Sequence, residues 1–231
     1  MKYTGLPALI SSEAKNPINI GGKGISIASD FMGALDNVVL PVITVGTAEF
    51  LVKTAHSDSV AVANGYYGRP QFSLNHDAGY DNPYRPAIRL RNAVGEDWSF
   101  FPRFIIPEDK WVHVAYVWNE STGRTFYVNG KTWYKDSELG TYNESAYHTA
   151  HALNFNSGER FDYAYNQVYS VSEFRLWEIE RTQRQILQYM DKRLTEFDDL
   201  RAYLSFNNTL KDEVSENNLA TTGTYIFIDI E

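Results

Sequence analysis

The chain has 231 residues, a formal net charge of −8 and no cysteine. The lack of cysteine excludes a disulfide framework and thiol chemistry, and the absence of a basic run argues against a nucleic-acid partner. No stretch approaches the roughly 18 apolar residues that cross a membrane. Aromatic residues make up 15% of the chain, and they suit both β-sheets and polar ligands that have apolar faces.

Alternation of apolar and polar residues predicts strands along most of the chain. In chain order the candidate strands are GISIAS, VVLPVITV, AEFLVKTA, PQFSLNH, AIRLRN and EDWSFF. Ile25 and Ile27 share one face of the first, and Phe72 and Leu74 share one face of the fourth. Two polar stretches between the strands, residues 75–86 and 135–167, are predicted to be long loops.

The clearest β-hairpin signal lies between Lys110 and Tyr134. VHVAYVW places four apolar residues on one face of a strand: Val112, Val114, Tyr116 and Trp118. RTFYVNGK returns along it, and Asn129-Gly130 is the strongest short hairpin signal that a sequence offers. VSEFRLW, AYLSF and YIFIDI are further strands near the end of the chain.

One segment has a helical period instead. EIERTQRQILQYMDKRL places Ile186, Met190 and Leu194 four residues apart, with Leu187 close to the same side, which predicts one short helix near residues 180–194. We expect it to lie against an edge or end of the sheets. The many short strands predict an antiparallel sandwich or barrel, and because no linker divides the chain, residues 1–231 are predicted to form one domain.

Several blocks of the sequence match a known pattern in the expected order. They are INIGGKGISIAS, then WVHVA with its return strand FYVNG, then VSEFRLWEIERTQRQI, and then LRAYLSFNNTLKDEVSENNL. Together they resemble the laminin G-like domains of the concanavalin A-like lectin/glucanase superfamily. The resemblance implies an all-β fold of two curved antiparallel sheets, a jelly-roll sandwich. It also implies modules of bacterial surface or secreted proteins that bind carbohydrate, other polymers or proteins, often with Ca²⁺.

Catalysis by a glucanase of this fold requires carboxylates at alternate positions of one strand, E-x-D-x-x-E, so that acid and nucleophile face one sugar. The nearest match, Glu196-Phe-Asp198, has Arg201 where the last glutamate is needed. G-x-S-x-G and H-E-x-x-H are also absent from the sequence. We therefore expect no enzymatic activity, with a divergent glycoside hydrolase as a remote alternative.

A sugar site requires an aromatic platform beside a few polar groups, and the two predicted loops and the Asn-Gly hairpin supply both. The candidate ligand-binding residues are Tyr80, Asp81, Tyr84, Arg85, Trp133, Tyr142, Tyr147, Arg160, Tyr163 and Tyr165. Taken singly each tyrosine fits a structural role, whereas the cluster fits either a structural or a binding role. Carboxylates and amides in the same loops are candidate calcium ligands: Asp77, Asp81, Asn82, Glu159 and Asp162.

The sequence thus predicts a noncatalytic carbohydrate-binding module with a glycan or polysaccharide as partner and calcium as an optional cofactor. The alternative is a structural or protein-interaction module on the same fold, packed against neighbouring domains of a larger protein. These two differ in what the loops expose, since a sugar site needs ring faces beside polar groups and an interaction module a broader apolar patch. We expect an exported protein, at the cell surface or secreted, whose leader is not part of this chain.

Overall fold

The computed structural model describes residues 20–28, 30–35, 45–54, 60–65, 71–76, 85–92, 95–100, 107, 109–119, 121–136, 153–155 and 168–230. These residues contain one helix, α1 (Gln183–Tyr189), and strands whose bounds are β1 Lys23–Ile27, β2 Met32–Leu35, β3 Val45–Thr54, β4 Val60–Gly65, β5 Gln71–His76, β6 Arg85–Asn92, β7 Gly95–Phe100, β8 Val112–Asn119, β9 Gly123–Val128, β10 Lys131–Asp136, β11 Leu153–Phe155, β12 Tyr169–Trp177, β13 Leu200–Leu204, β14 Ala220–Thr222 and β15 Tyr225–Asp229. In β4 to β7 the backbone is described, together with the side chain of Phe72.

The strands form two antiparallel sheets. The larger sheet has the order β10-β9-β8-β3-β12-β1-β15, and β13 pairs with the second half of β12. The smaller sheet has the order β14-β2-β11-β4-β5-β6-β7. This arrangement, with its single short helix, confirms the predicted two-sheet sandwich.

Aromatic side chains join the two sheets across the core. Phe72 of the smaller sheet packs on Tyr116 of the larger, with ring centroids 5.6 Å apart. At the other end Phe155 meets Phe174 edge to face at 5.1 Å. Such offset and edge-on contacts add to the free energy gained by burying the rings. The core therefore lies between the sheets and faces the inner side of each.

The predicted hairpin is present with its predicted facing. All four alternating residues of β8, from Val112 to Trp118, are buried in the core between the sheets. The turn that leads into β10 has Asn129 at φ 47° and Gly130 at φ 69°. Two consecutive positive φ angles are the geometry of a type I′ turn, which matches the twist of the flanking strands.

The outer face of the larger sheet is covered as well, and here the expected helix position was wrong. We expected α1 at an edge or end of the sheets. Instead Ile186 packs onto the outward-facing Ala115 and Val117 of β8 and onto Tyr127 of β9. A helix buries its apolar stripe where it finds apolar partners, and the outer face of β8 offers Ala115 and Val117.

The helix is also shorter than the period of its apolar residues suggests. It begins with a capping box in which the Thr182 side chain and Gln185 bond each other's backbone N–H groups, and it ends at Tyr189. Beyond that residue, Arg175 of β12 donates to the backbone carbonyls of Tyr189 (2.8 Å) and Lys192. The guanidinium thus provides an additional donor for carbonyls at and just beyond the C-terminal end of the helix.

A second difference from the sequence prediction lies between β10 and β12. Residues 135–167 were predicted to be a loop, but the structure has the short strand β11 there, paired with β2 and β4. Its last residue, Phe155, is buried in the core. A three-residue strand has too little periodicity to be distinguished from a loop.

Candidate functional site

Most of the residues that the sequence nominates lie outside the described part of the chain. Of the ten candidate ligand-binding residues, Trp133 has a described side chain and Arg85 a described backbone, at the start of β6. The others fall in undescribed segments: Tyr80, Asp81, Tyr84, Tyr142, Tyr147, Arg160, Tyr163 and Tyr165. The calcium candidates do too: Asp77, Asp81, Asn82, Glu159 and Asp162. Both sets stay predictions.

Trp133 occupies a β-bulge in the edge strand β10. Thr132 pairs with Tyr127 and Tyr134 pairs with Phe126, so Trp133 is the extra residue between them. A bulge re-aims the side chain that it inserts, and here both Trp133 and Tyr134 are partly buried against the core between the sheets. Part of the indole is thus used in packing.

The family motifs converge elsewhere, on the outer face of the larger sheet beneath α1. Glu49 of β3 is fully buried there, and its carboxylate binds Arg181 through Oε1. Its other oxygen, Oε2, lies 3.2 Å from Nε2 of His113, which belongs to the WVHVA motif. Burial of a charge is tolerated when a partner and hydrogen bonds compensate it. The carboxylate has both.

Protonation in this group follows from burial and charge. Burial lowers the pKa of His113 below its usual value, and the bond to Glu49 does not offset this. Burial raises the pKa of Glu49, but the bond from His113 and the charges of Arg181 and Arg175 outweigh it, so the pKa is lowered. At neutral pH the carboxylate is ionised and the imidazole is neutral. His113 therefore carries its hydrogen on Nε2 and donates it to Glu49.

A second buried carboxylate, Glu173, lies at the point where β12 changes partner from β1 to β13. It has φ 53° and occupies a bulge against β3. Its oxygens accept from Arg175 (2.8 Å), from Arg193 (2.7 Å) and from the Tyr203 hydroxyl (2.7 Å). Burial raises the pKa of Tyr203, so the phenol stays protonated and remains a donor.

Arginines connect these carboxylates to the helix and to the chain after it. The Arg181 guanidinium lies over the Trp177 ring, 4.0 Å from its centroid, and donates to the carbonyl of Gln185 in α1. Arg193 binds the carbonyls of Gly21 and Lys23 at the start of β1. A desolvated cation over an indole adds to the ion pair. We call the group Glu49, His113, Glu173, Arg175, Trp177, Arg181, Arg193 and Tyr203 the charged clamp.

The clamp is suited to holding the helix on the sheet and unsuited to acid–base catalysis. A catalytic carboxylate must reach a substrate, whereas Glu49 and Glu173 are buried and bound to arginines. Among the described residues, no three acidic, histidine or cysteine side chains lie close enough to hold a metal ion. Within the same residues α1 is too short to cross a membrane.

The sequence reasoning did not nominate Glu49, and a signal for it was present. A glutamate inside the otherwise apolar strand AEFLV is costly unless it is paired. Candidate partners for Glu49 were present in two other motifs, because WVHVA and VSEFRLWEIER each carry a basic residue among apolar ones. His113 is packed inside β8, where it is buried and bonded to Glu49.

Comparison with known families agrees with this geometry. A model described as the concanavalin A-like lectin/glucanases superfamily, of laminin G type, matches residues 46–187, which span most of β3, the hairpin, β12 and the start of α1. This chain belongs to that superfamily. The resemblance read from the sequence is thereby confirmed. No curated protein sequence matches the chain.

Two solved structures illustrate the fold. A proposed carbohydrate-binding protein of Bacteroides ovatus superposes with a TM-score of 0.69 at 18% identity over 91% of this chain, which spans 62% of that protein's length. The heptameric SAP-like pentraxin of Limulus polyphemus superposes with a TM-score of 0.60 at 15% identity, over 91% of this chain and 96% of the pentraxin. At such identities these similarities establish the fold alone.

Proposed function

We propose that this chain is a noncatalytic carbohydrate-binding module. The observation that carries the proposal is the state of the buried carboxylates on a lectin-type sandwich. Glu49 and Glu173 are each neutralised by arginines, so the family motifs maintain the scaffold and supply no hydrolytic pair. Rigid sandwiches commonly carry binding residues on their loops. The Bacteroides ovatus protein of the same fold supports this choice of ligand class.

Recognition would rest on aromatic rings that stack on a sugar's apolar face and on polar groups that bond its hydroxyls. The candidates are the loop residues predicted from the sequence, with Tyr80, Tyr84 and Arg85 close together along the chain. Calcium would bind through Asp77, Asp81 and Asn82 of the same segment. The module would act outside the cytoplasm, in a secreted or cell-surface protein.

Binding to a broad glycan array, with Ca²⁺ and again with EDTA, tests the proposal. We expect selective binding to one glycan class, lost in Tyr80→Ala and Tyr84→Ala. Phe197→Ala is the matched control, because Phe197 is an exposed aromatic outside the predicted loops. Loss of binding in EDTA would support the calcium ligands. Absence of binding in both conditions would contradict the proposal.

A protein-interaction module without a sugar site is the second candidate. It is favoured by the exposed apolar Ile226 on an edge strand of the larger sheet. An interaction module presents an apolar surface where a lectin presents aromatic rings beside polar groups. Measured binding of the folded chain to a protein partner, together with no binding to the glycan array, would support this candidate over the first.

A further inference from the structure

β15 is the last strand of the larger sheet, and among the described residues it pairs with β1 alone. Two backbone bonds set the orientation of its polar groups: Ile230 N–H donates to Gly22, and Ala28 N–H donates to the carbonyl of Thr224. In an antiparallel pair the bonded residues alternate. The backbone N–H and C=O groups of Ile226 and Ile228 therefore point towards β1. Those of Tyr225, Phe227 and Asp229 point to the other edge.

Edge strands are usually protected by proline, lysine, a bulge or an inward charge. The sequence of this edge, TYIFIDI, has none of these apart from Asp229, whose carboxylate is bound by Lys23 of β1 at 2.6 Å. Its register with β1 is continuous from Lys23–Asp229 to Ile27–Tyr225, without a bulge. Ile226 is 62% exposed on the outer face. Such an edge is a template for another strand.

From this geometry we propose that β15 pairs with β15 of a second copy of this chain, antiparallel and centred on Phe227. The outward N–H and C=O groups of Phe227 would then bond those of Phe227 in the second copy. Tyr225 would stand opposite Asp229, again as a bonded pair, because both carry outward-pointing groups. Ile226 would stand opposite Ile228. The same residues contact one another in both directions, as a two-fold interface requires.

The side chains fit this register on both faces. Ile226 would gain an apolar partner in Ile228, and opposed branched residues stabilise antiparallel pairs. On the inner face a Tyr225 hydroxyl would approach a carboxylate that Lys23 already neutralises. The pairing goes beyond glycan binding and does not depend on it.

A single pair of five-residue strands buries little surface, and interfaces below about 1,200 Å² are typically weak. We therefore expect a dimer that forms with increasing concentration, between about 10 µM and 1 mM. Added salt should favour it, since the net charge of −8 opposes association of like chains.

Sedimentation velocity of the whole chain across that range tests the proposal. The mass should rise from one chain towards two, whereas Ile226→Lys should remain at one chain throughout. Asp229→Pro should do the same, because it removes an outward N–H and leaves the bonds to β1 intact. Leu187→Lys is the matched control, since Leu187 is 46% exposed on α1, and it should associate like the unchanged chain. A single-chain mass at every concentration, or association of Ile226→Lys, would overturn the proposal.

Hydrogen exchange gives an independent readout at the level of single amides. With rising concentration, exchange at Tyr225, Phe227 and Asp229 should slow at least about tenfold as the paired fraction grows. The amides of Ile226 and Ile228 already bond β1 and should not change. Protection of the first three amides in the most dilute sample would mean that another part of the same chain covers the edge. That result would also overturn the proposal, as would fast exchange at every concentration.

Discussion

The outer face of the larger sheet has two regions that differ in their chemistry. Beneath α1 it carries buried charges, each bound by an opposite charge or a hydrogen bond. Towards β15 the same face carries Ser26 and Ser170 between the exposed Val168 and Ile226. The inner faces of both regions join one apolar core. The sheet itself is therefore continuous. The two regions differ in whether α1 covers the outer face, and this cover determines which residue types stand on that face.

The comparison shows where the family motifs are used. WVHVA and VSEFRLWEIER supply residues of the charged clamp, and their positions coincide with the covered region. Towards β15 the motifs supply only the first strand and Trp111 of WVHVA, which packs with Leu51 and Ile230 and against Ile228 of β15. In a sandwich each sheet needs one apolar face. Where the other face is covered too, its buried polar groups need hydrogen-bond or charge partners from the covering element. The motif therefore reports how the helix is attached and says little about a ligand.

The largest effect should follow from breaking the clamp. Glu49→Gln leaves Arg181 buried without its counter-ion, and we expect a loss of about 3–5 kcal/mol in the free energy of unfolding. Denaturant unfolding measures it. Asp229→Asn is the matched control, because it breaks an exposed pair with Lys23 and should cost less than about 1 kcal/mol. Equal effects of the two changes would remove the distinction between the regions.

A smaller effect should follow where the hairpin meets the helix. Gly130 and Gly21 both have positive φ, 69° and 65°, but a Cβ at Gly130 would meet Leu187 and Met190, whereas one at Gly21 would meet nothing within 4 Å. Alanine at either position costs about 1–2 kcal/mol in backbone strain, and overpacking should add about 1 kcal/mol or more at Gly130. Thermal unfolding of both variants isolates the packing contribution. Identical melting temperatures would show that α1 shifts to accept the added Cβ without a loss of stability.

The pH dependence of stability separates His113 from its neighbours. Its pKa is lowered in the folded protein, so below about pH 6.5 the unfolded chain binds a proton that the folded chain does not. The free energy of unfolding should therefore fall as the pH drops from 7 to 5, by at most about 1.4 kcal/mol per unit from this group.

His113→Gln is the variant that tests this origin, because its amide can still donate to Glu49 but does not titrate. Denaturant unfolding at pH 5, 6 and 7 should give a flatter profile for the variant than for the unchanged chain. Glu49 contributes outside this window, since its lowered pKa places its loss of stability below the usual value of 4.5. Parallel pH profiles for the variant and the unchanged chain would show that His113 does not cause the loss of stability between pH 7 and 5.

The smallest effect on stability should come from the region of the outer face towards β15. Ile226→Thr removes apolar surface that is already exposed in a single chain, so the free energy of unfolding should change by less than about 0.5 kcal/mol at low concentration. Thermal unfolding of a dilute sample checks this value. A loss of 1 kcal/mol or more would mean that Ile226 is covered in the isolated chain, and it would make the two regions alike.

Much of the architecture could be predicted because it depends on local patterns. Alternation placed Val112 to Trp118 on one face, and Asn129-Gly130 specified the turn, since both signals need only a few neighbouring residues. The position and length of α1 could not be predicted. Its partners on the sheet are Ala115 and Val117, and Arg175 bonds the carbonyls at its end. These residues are distant in sequence, and no local period reveals them.

The candidate ligand site rests on residue types in loops, and such types alone do not bring side chains together. Trp133 illustrates the difference, because a one-residue bulge turns part of its ring towards the core. The charged clamp illustrates the opposite case. Each of its members was visible in the sequence, but their meeting required β3, β8 and β12 to pair in one register.

By itself the sequence determined the class of fold, the hairpin and the family, because apolar period, turn residues and motif order are properties of the chain read in one direction. The tertiary structure alone decided which charged residues would be buried, which helix face would be used and which strand would end the larger sheet among the described residues. Those outcomes depend on side chains far apart in sequence that come within bonding distance only after the sheets have formed, where loss of water makes pairing obligatory.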